Sequence, residues 1–399
     1  RGYIRTFRRR PLFMISTAVK ILIQAATSFA LGIVFAPLLA GALYRAKAWK
    51  KISGKGTGIG GGGTPIFDEL HKEREVSTPR MGGILIWASV LATAFLFWVC
   101  ARLFDTFWPA LDFVNRRETW LPIFALAAGA FAGLTDDFLE ITSGKGGLSL
   151  SRRIIIVCSI GIAAGWWYYV KLGVTTIGIP FAAPLAIGWL IIPFFAVVTL
   201  AIYAGGTIDG LDGLAGGVFA IIFMVYAGIA FGEGQTSLAA FAAAVAGATL
   251  AFLWFNIPPA RFYMSETGSM ALTLALAMTA FASDSIADGV GVFVLPLVAI
   301  PLTATVVTTA LQVFWKKVFH KKDLDINPDL YWGYTLDLTF LLILFAFVFG
   351  LYFFMNVNKE EDNYLSTVST QENAVKQKLD NALKYFKERE NKSESILNS

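Results

Sequence analysis

Apolar runs long enough to cross a bilayer recur along this chain, and nothing else in it narrows the choice of fold as much. Residues 84–101, 191–205, 214–232 and 237–255 are four of them. About 20 such residues in a helix span the hydrocarbon layer. In that layer each backbone N–H and C=O must find its partner inside the protein, so such a run folds as a helix. A β-barrel would instead alternate polar and apolar residues over segments of about ten, and these runs do not alternate. Charged residues make up only 15% of the chain, against the roughly 25% usual in soluble domains. The reading is an all-α polytopic integral membrane protein with about ten transmembrane helices.

The expected spans are residues 15–44, 81–104, 119–139, 153–172, 184–205, 214–232, 237–256, 268–287, 290–315 and 336–356. Pro296 and Pro301 should kink the ninth, because proline removes a helical donor and crowds the preceding turn. Three regions follow: a basic N-terminal segment 1–14, a transmembrane domain 15–356, and a polar C-terminal tail 357–399. In the tail, Val368, Val375, Leu379, Ala382, Leu383 and Phe386 recur at near-helical spacing, the mark of a short amphipathic helix, with a solvated tail as the bland alternative. The basic N-terminus precedes an apolar stretch with no small-residue cleavage site after it, so it reads as a retained first span. The glycine run 54–63 lacks the flanking strand and helix of a dinucleotide fingerprint and reads as a linker. Gly178-Ile179-Pro180 reads as a turn on the outer side. Cys100 and Cys158 lie in apolar runs, where they pack rather than pair.

Orientation follows from lysine and arginine in the short loops. Lys47, Lys50, Lys51, Lys55, Lys72, Arg74, Arg80, Lys145, Arg152, Arg153, Arg261, Lys316, Lys317, Lys321 and Lys322 fall on one face. That face is expected to be cytoplasmic. Arg5, Arg8, Arg9 and Arg10 oppose it, but the summed loops outweigh one terminus. The net charge of +5 suits anionic lipid head groups and a phosphate-bearing substrate; it does not call for nucleic acid.

Four polar motifs fall on that face. They are Ser77–Gly83 (STPRMGG), Asp136-Asp137 with Lys145–Ser149, Tyr203–Gly217 (YAGGTIDGLDGLAGG) and Asn256–Ser269 (NIPPARFYMSETGS). Together they bring Asp136, Asp137, Asp209, Asp212 and Glu266, with Lys, Arg and Asn close by. A carboxylate at the bilayer centre costs about 2.5–3.5 kcal/mol on insertion scales, so these acids belong at a membrane–water boundary or in a wet cavity. Asp209 and Asp212, three residues apart, would share a face of a helical turn, although Asp209 could simply cap a helix. Asp136-Asp137 is expected near a helix C-terminus, where the macrodipole disfavours anions and capping fails as an explanation. With histidine nearly absent and the cysteines misplaced, oxygen-only ligands point to a hard cation, Mg²⁺ or Mn²⁺, held by one or two carboxylates plus substrate phosphates. Such an ion bridges a diphosphate and neutralises charge in phosphoryl transfer.

In the order and spacing of TPRMGG (78–83), GLTDDFLEI (133–141), KGGLS (145–149), IDGLDGLAGG (208–217) and FLWFNIPPARFYMSETGSMAL (252–272), the chain resembles the polyprenyl-phosphate N-acetylhexosamine-1-phosphate transferase superfamily. Its nearest branch is the phospho-N-acetylmuramoyl-pentapeptide transferases. The resemblance implies Mg²⁺-dependent transfer of phospho-N-acetylmuramoyl-pentapeptide from its UDP carrier to undecaprenyl phosphate, with release of UMP. It implies a bacterial inner membrane location, membrane lipids around the spans and an active site facing the cytoplasm, and it leaves a homodimer open. Carried over by position, Asp136, Asp137, Asp209 and Asp212 are the catalytic aspartates. Glu266 falls where the family places its metal-binding aspartate, with Asp209 beside it. Thr78, Lys72, Lys145, Arg153, Gly210, Leu211 and Asn256 fall at substrate-binding positions. Gly206 stands where the family has asparagine, and Asp325-Ile326-Asn327 where it has three histidines. Transfer of N-acetylglucosamine-1-phosphate to the same lipid is the alternative reading, and a weakly active lipid-binding homologue is another.

Overall fold

A computed structural model describes residues 3–49, 77–104, 108–114, 118–143, 147–179, 184–206, 212–286, 291–304, 306–307 and 376–377. The chain divides into two compact units, Arg1–Ala346 and Phe347–Ser399. Everything below lies in the first unit, since only Lys376 and Gln377 of the second are described. The expected tenth span and the amphipathic tail pattern therefore fall outside the described residues, apart from those two positions.

Among the described residues nine helices follow one another: α1 (Tyr3–Arg45), α2 (Ile84–Leu103), α3 (Trp120–Ser143), α4 (Leu150–Lys171), α5 (Ile191–Gly205), α6 (Leu214–Gly232), α7 (Thr236–Asn256), α8 (Ser265–Ile286) and α9 (Gly291–Val298). Among the described residues, α1 to α7 are long and apolar enough to cross a membrane, seven helices in all. Three boundaries differ from expectation. Helix α1 starts at Tyr3, so the basic segment runs into the first span as one helix. Helix α3 continues to Ser143, which places Asp136 and Asp137 inside the helix rather than at its end. Helix α5 starts only at Ile191, because Leu185-Ala186 pairs antiparallel with Thr176-Ile177 in a two-stranded ribbon (β1, Thr176–Ile177; β2, Leu185–Ala186). Pro296 lies within α9, and a turn at Ala299 separates it from the next helical residues, which include Pro301. The expected interruption is there.

Helix α8 is the hub. From Met270 to Ala282 its side chains are buried on every side. It packs along α3, while α1 packs along α7, α6 against α7 and α4 against α5. Lipid tails are as apolar as leucine, so helix pairs in a membrane gain little from burial alone and rely on close backbone approach. Two Gly-x-x-x-Gly pairs provide it. A Cβ on Gly129 of α3 would lie 2.6 Å from the Met270 carbonyl oxygen, and one on Gly133 would strike the backbone of Glu266. On α4, a Cβ at Gly161 or Gly165 would fall within 3 Å of the α5 backbone at Ala196 or Ile192. The α3–α8 contact positions the site, because both helices carry acids at the same end. At the other end of α8, Asp284 accepts the Gly178 N–H at 3.1 Å and ties the ribbon down.

Candidate active site

Helices α8 and α2 begin side by side, and their first turns are knitted through backbone. Gly82 N–H donates to the Tyr263 carbonyl at 2.7 Å, Gly83 N–H to Met264 at 3.1 Å, and Tyr263 N–H to Pro79 at 2.8 Å. Two residues with left-handed backbone meet here: Met81 (φ 67°) donates its N–H to Oγ of Ser265 (φ 54°) at 3.0 Å. Non-glycine residues hold that conformation only where the surroundings impose it. The paired glycines of TPRMGG have a steric cause. A Cβ on Gly82 would sit 2.6 Å from the Tyr263 oxygen, and one on Gly83 2.9 Å from the Thr267 carbonyl carbon. Gly83→Ala should therefore overpack the junction at a cost of about 1–3 kcal/mol. A clear fall in melting temperature in detergent is expected, and wild-type melting would refute the steric account.

Beneath this junction lie the two aspartates of α3, both fully buried. Asp137 is spent on architecture. Its Oδ2 accepts from the Ser265 hydroxyl at 2.5 Å, the Thr267 N–H at 2.9 Å and the Thr267 hydroxyl at 2.5 Å. It thus caps the amino end of α8 from another helix, where the dipole favours an anion. Arg80 Nη2 lies 3.5 Å from Asp137 Oδ1 and 3.1 Å from Glu140 Oε2.

Asp136 is differently placed. Its Oδ1 accepts the Leu148 N–H at 2.5 Å. Gly147 closes over the carboxylate, since a Cβ there would lie 2.5 Å from that oxygen. Its Oδ2 lies 2.9 Å from Arg153 Nη2 but is not aligned for a hydrogen bond, and among the described residues it has no other hydrogen-bond partner. Arg153 Nη1 reaches Glu266 Oε1 at 2.5 Å, and the buried Tyr203 lies beside the guanidinium. Four carboxylates (Asp136, Asp137, Glu140, Glu266) thus share two guanidiniums (Arg80, Arg153).

That ion has oxygen ligands within reach. Carboxylate oxygens of Asp136, Asp137 and Glu140 come within 4.8 Å of one another. Opposite ligands of octahedral Mg²⁺ are separated by about 4.2 Å, so small side-chain rotations would close the trio. The buried Oδ2 of Asp136, without a hydrogen bond among the described residues, fits a hard divalent cation. Glu140 joins the set because i, i+3 and i+4 share a helix face. That spacing was readable from the sequence, unlike the roles of Arg80, Ser265, Thr267 and Tyr203, which depend on tertiary partners.

Other positions named from the sequence fall outside this cluster. Asn256 uses both ends of its amide on the chain itself: Oδ1 accepts Gly213 N–H at 2.9 Å and Nδ2 donates to Phe262 O at 3.0 Å. Asp212 sits in the turn before α6 and accepts the Ala260 N–H at 3.2 Å. Gly206 closes α5 where a Cβ would meet Ser269 Oγ at 2.7 Å, so no asparagine fits in this packing. Thr78 is half-buried at the α2 junction. Lys72, Lys145, Asp209, Gly210 and Leu211 lie outside the described residues.

Comparison with known proteins bears on the same region. The family model for glycosyl transferase family 4 matches residues 119–284, from the start of α3 to near the end of α8. The chain is 31% identical over 313 residues to the phospho-N-acetylmuramoyl-pentapeptide-transferase of Geobacillus kaustophilus (strain HTA426), covering 75% of this chain and 88% of the relative. The corresponding protein of Geobacillus sp. (strain WCH70) is 32% identical over 258 residues, 63% of this chain and 72% of the relative. That of Clostridium perfringens (strain 13 / Type A) is 31% identical over 267 residues, 65% and 75% of the two chains.

Proposed function

The chain belongs to the polyprenyl-phosphate N-acetylhexosamine-1-phosphate transferase superfamily, glycosyl transferase family 4, and from that premise we propose that it moves phospho-N-acetylmuramoyl-pentapeptide from UDP to undecaprenyl phosphate, releasing UMP. It is a multi-pass bacterial membrane protein and a glycosyl-1-phosphate transferase similar to the phospho-N-acetylmuramoyl-pentapeptide transferases. The observation that carries the finer reading is the convergence of Asp136, Arg153 and Glu266, from three separate helices, at the end of the bundle that also carries Arg80. In this reading that end faces the cytoplasm, the transfer is the first membrane step of peptidoglycan synthesis, and the spans surround the prenyl chain.

Asp136, Asp137 and Glu140, with Glu266 across Arg153, would hold Mg²⁺; Asp209 is proposed to join them. When bound, the ion supplies charge neutralisation on the diphosphate. Asp136 is the better of the two α3 aspartates to position or deprotonate the attacking lipid phosphate, since one of its oxygens has no hydrogen bond among the described residues. Asp137 orients it indirectly by fixing α3 against the first turn of α8. Arg80 and Arg153 are the guanidiniums at hand for phosphate, whose geometry they match two-pronged.

Purified protein with Mg²⁺ and undecaprenyl phosphate is expected to exchange labelled UMP into UDP-N-acetylmuramoyl-pentapeptide. Stripping divalent ions with EDTA should abolish exchange, and Mg²⁺ or Mn²⁺ should restore it. Exchange only with UDP-N-acetylglucosamine would move the chain to the glucosamine branch. No exchange with either sugar nucleotide would support a lipid-binding homologue instead.

A further inference from the structure

Arg153 is engaged on the wrong partners for a phosphate-binding residue. Its Nη1 lies on Glu266 at 2.5 Å, Nη2 lies 2.9 Å from Asp136, and Nε donates to the Leu148 carbonyl at 3.2 Å. Tyr203 of α5 lies beside the same guanidinium. Two of these partners are carboxylates that the site offers to a divalent ion. An arginine is charged at any physiological pH. A guanidinium and a divalent cation set against the same two oxygens, Asp136 Oδ2 and Glu266 Oε1, repel each other at close range.

We propose that Arg153 is a built-in counter-ion that a divalent cation must displace from Asp136 and Glu266, and that this displacement frees its two-pronged donor for an anionic ligand. The inference rests on the reading that the carboxylate cluster takes a divalent ion. It makes metal occupancy and phosphate binding favour each other through one side chain. Arg153 sits in the first turn of α4, so its stem stays anchored while the head changes partners. Tyr203 is then a positioning residue that holds the guanidinium beside the carboxylates until the ion arrives.

The probe is Mn²⁺ alone, titrated into detergent-purified full-length protein and followed by electron paramagnetic resonance, with no nucleotide present. Arg153→Gln should bind Mn²⁺ more tightly than wild type by roughly 5- to 150-fold, the usual span of a coupling between two sites, while UMP exchange falls. Arg153→Lys keeps the charge but loses the two-pronged grip, so its affinity should lie between the two. Arg152→Gln removes an equal charge from an exposed neighbour and should change affinity less than about twofold, exposed charges being well screened. Unchanged or weaker Mn²⁺ binding in Arg153→Gln overturns the proposal. Should that variant fail to fold, Arg153→Lys decides it, and wild-type affinity there overturns it equally. Mg²⁺-stimulated exchange combined with unshifted Mn²⁺ affinity sinks only the counter-ion role. Absence of any Mn²⁺ binding or metal-stimulated exchange in wild type removes the metal reading as well.

Discussion

Asp136→Asn should abolish phosphosugar transfer, by about 10³-fold or more, while the protein keeps its fold. Losing a positioned proton acceptor typically costs 10²–10⁴-fold, and here the same oxygen is also a candidate metal ligand. The fold should survive, because an asparagine oxygen can still accept the Leu148 N–H and Arg153 retains Glu266 as a partner. The measurement is labelled UMP exchange alongside thermal melting in detergent. Loss of exchange with unchanged melting is the expected pair of results. Wild-type exchange would shift the nucleophile-positioning role to another carboxylate.

For its neighbour the expected damage is to stability. Asp137→Ala removes the acceptor of three hydrogen bonds from Ser265 and Thr267 and strips Arg80 of a carboxylate partner. Breaking a buried charge pair from one side costs about 3–5 kcal/mol. The amino end of α8 loses its cap besides. A fall of many degrees in melting temperature, or failure to purify folded protein, is expected. Asp137→Asn keeps an acceptor and should lie between. Melting of Asp137→Ala at the wild-type temperature would refute the capping role and return the two aspartates to equal footing.

Much of the bundle was legible in the sequence, for a physical reason. Apolar runs bounded by charge must be helices in a bilayer, so α6 and α7 fall within one residue of where hydropathy places them. The motifs were legible too, as polar residues in a chain that otherwise avoids them. What hydropathy cannot show is the division of labour between adjacent acids. Asp136 and Asp137 have the same local surroundings and differ only in partners 12 to 130 residues away. Asp136 was expected near a helix end because the apolar run stops at Leu139, whereas α3 carries on through Glu140 to Ser143. The start of α5 was missed because Leu185-Ala186 is apolar enough to be helix, and only its pairing with Thr176-Ile177 makes it strand. Gly129 and Gly133 looked like ordinary small residues in a span; their meaning lies in the backbone opposite.

That contact has a consequence for how the protein meets membranes of different thickness. A bilayer that is too thick or too thin is accommodated by helix tilt, at fractions of a kcal/mol per ångström of mismatch. Since α3 and α8 touch main chain to main chain at Gly129 and Gly133, they must lean as a pair, and the gap between Asp136 and Glu266 does not widen when the acyl chains around them lengthen.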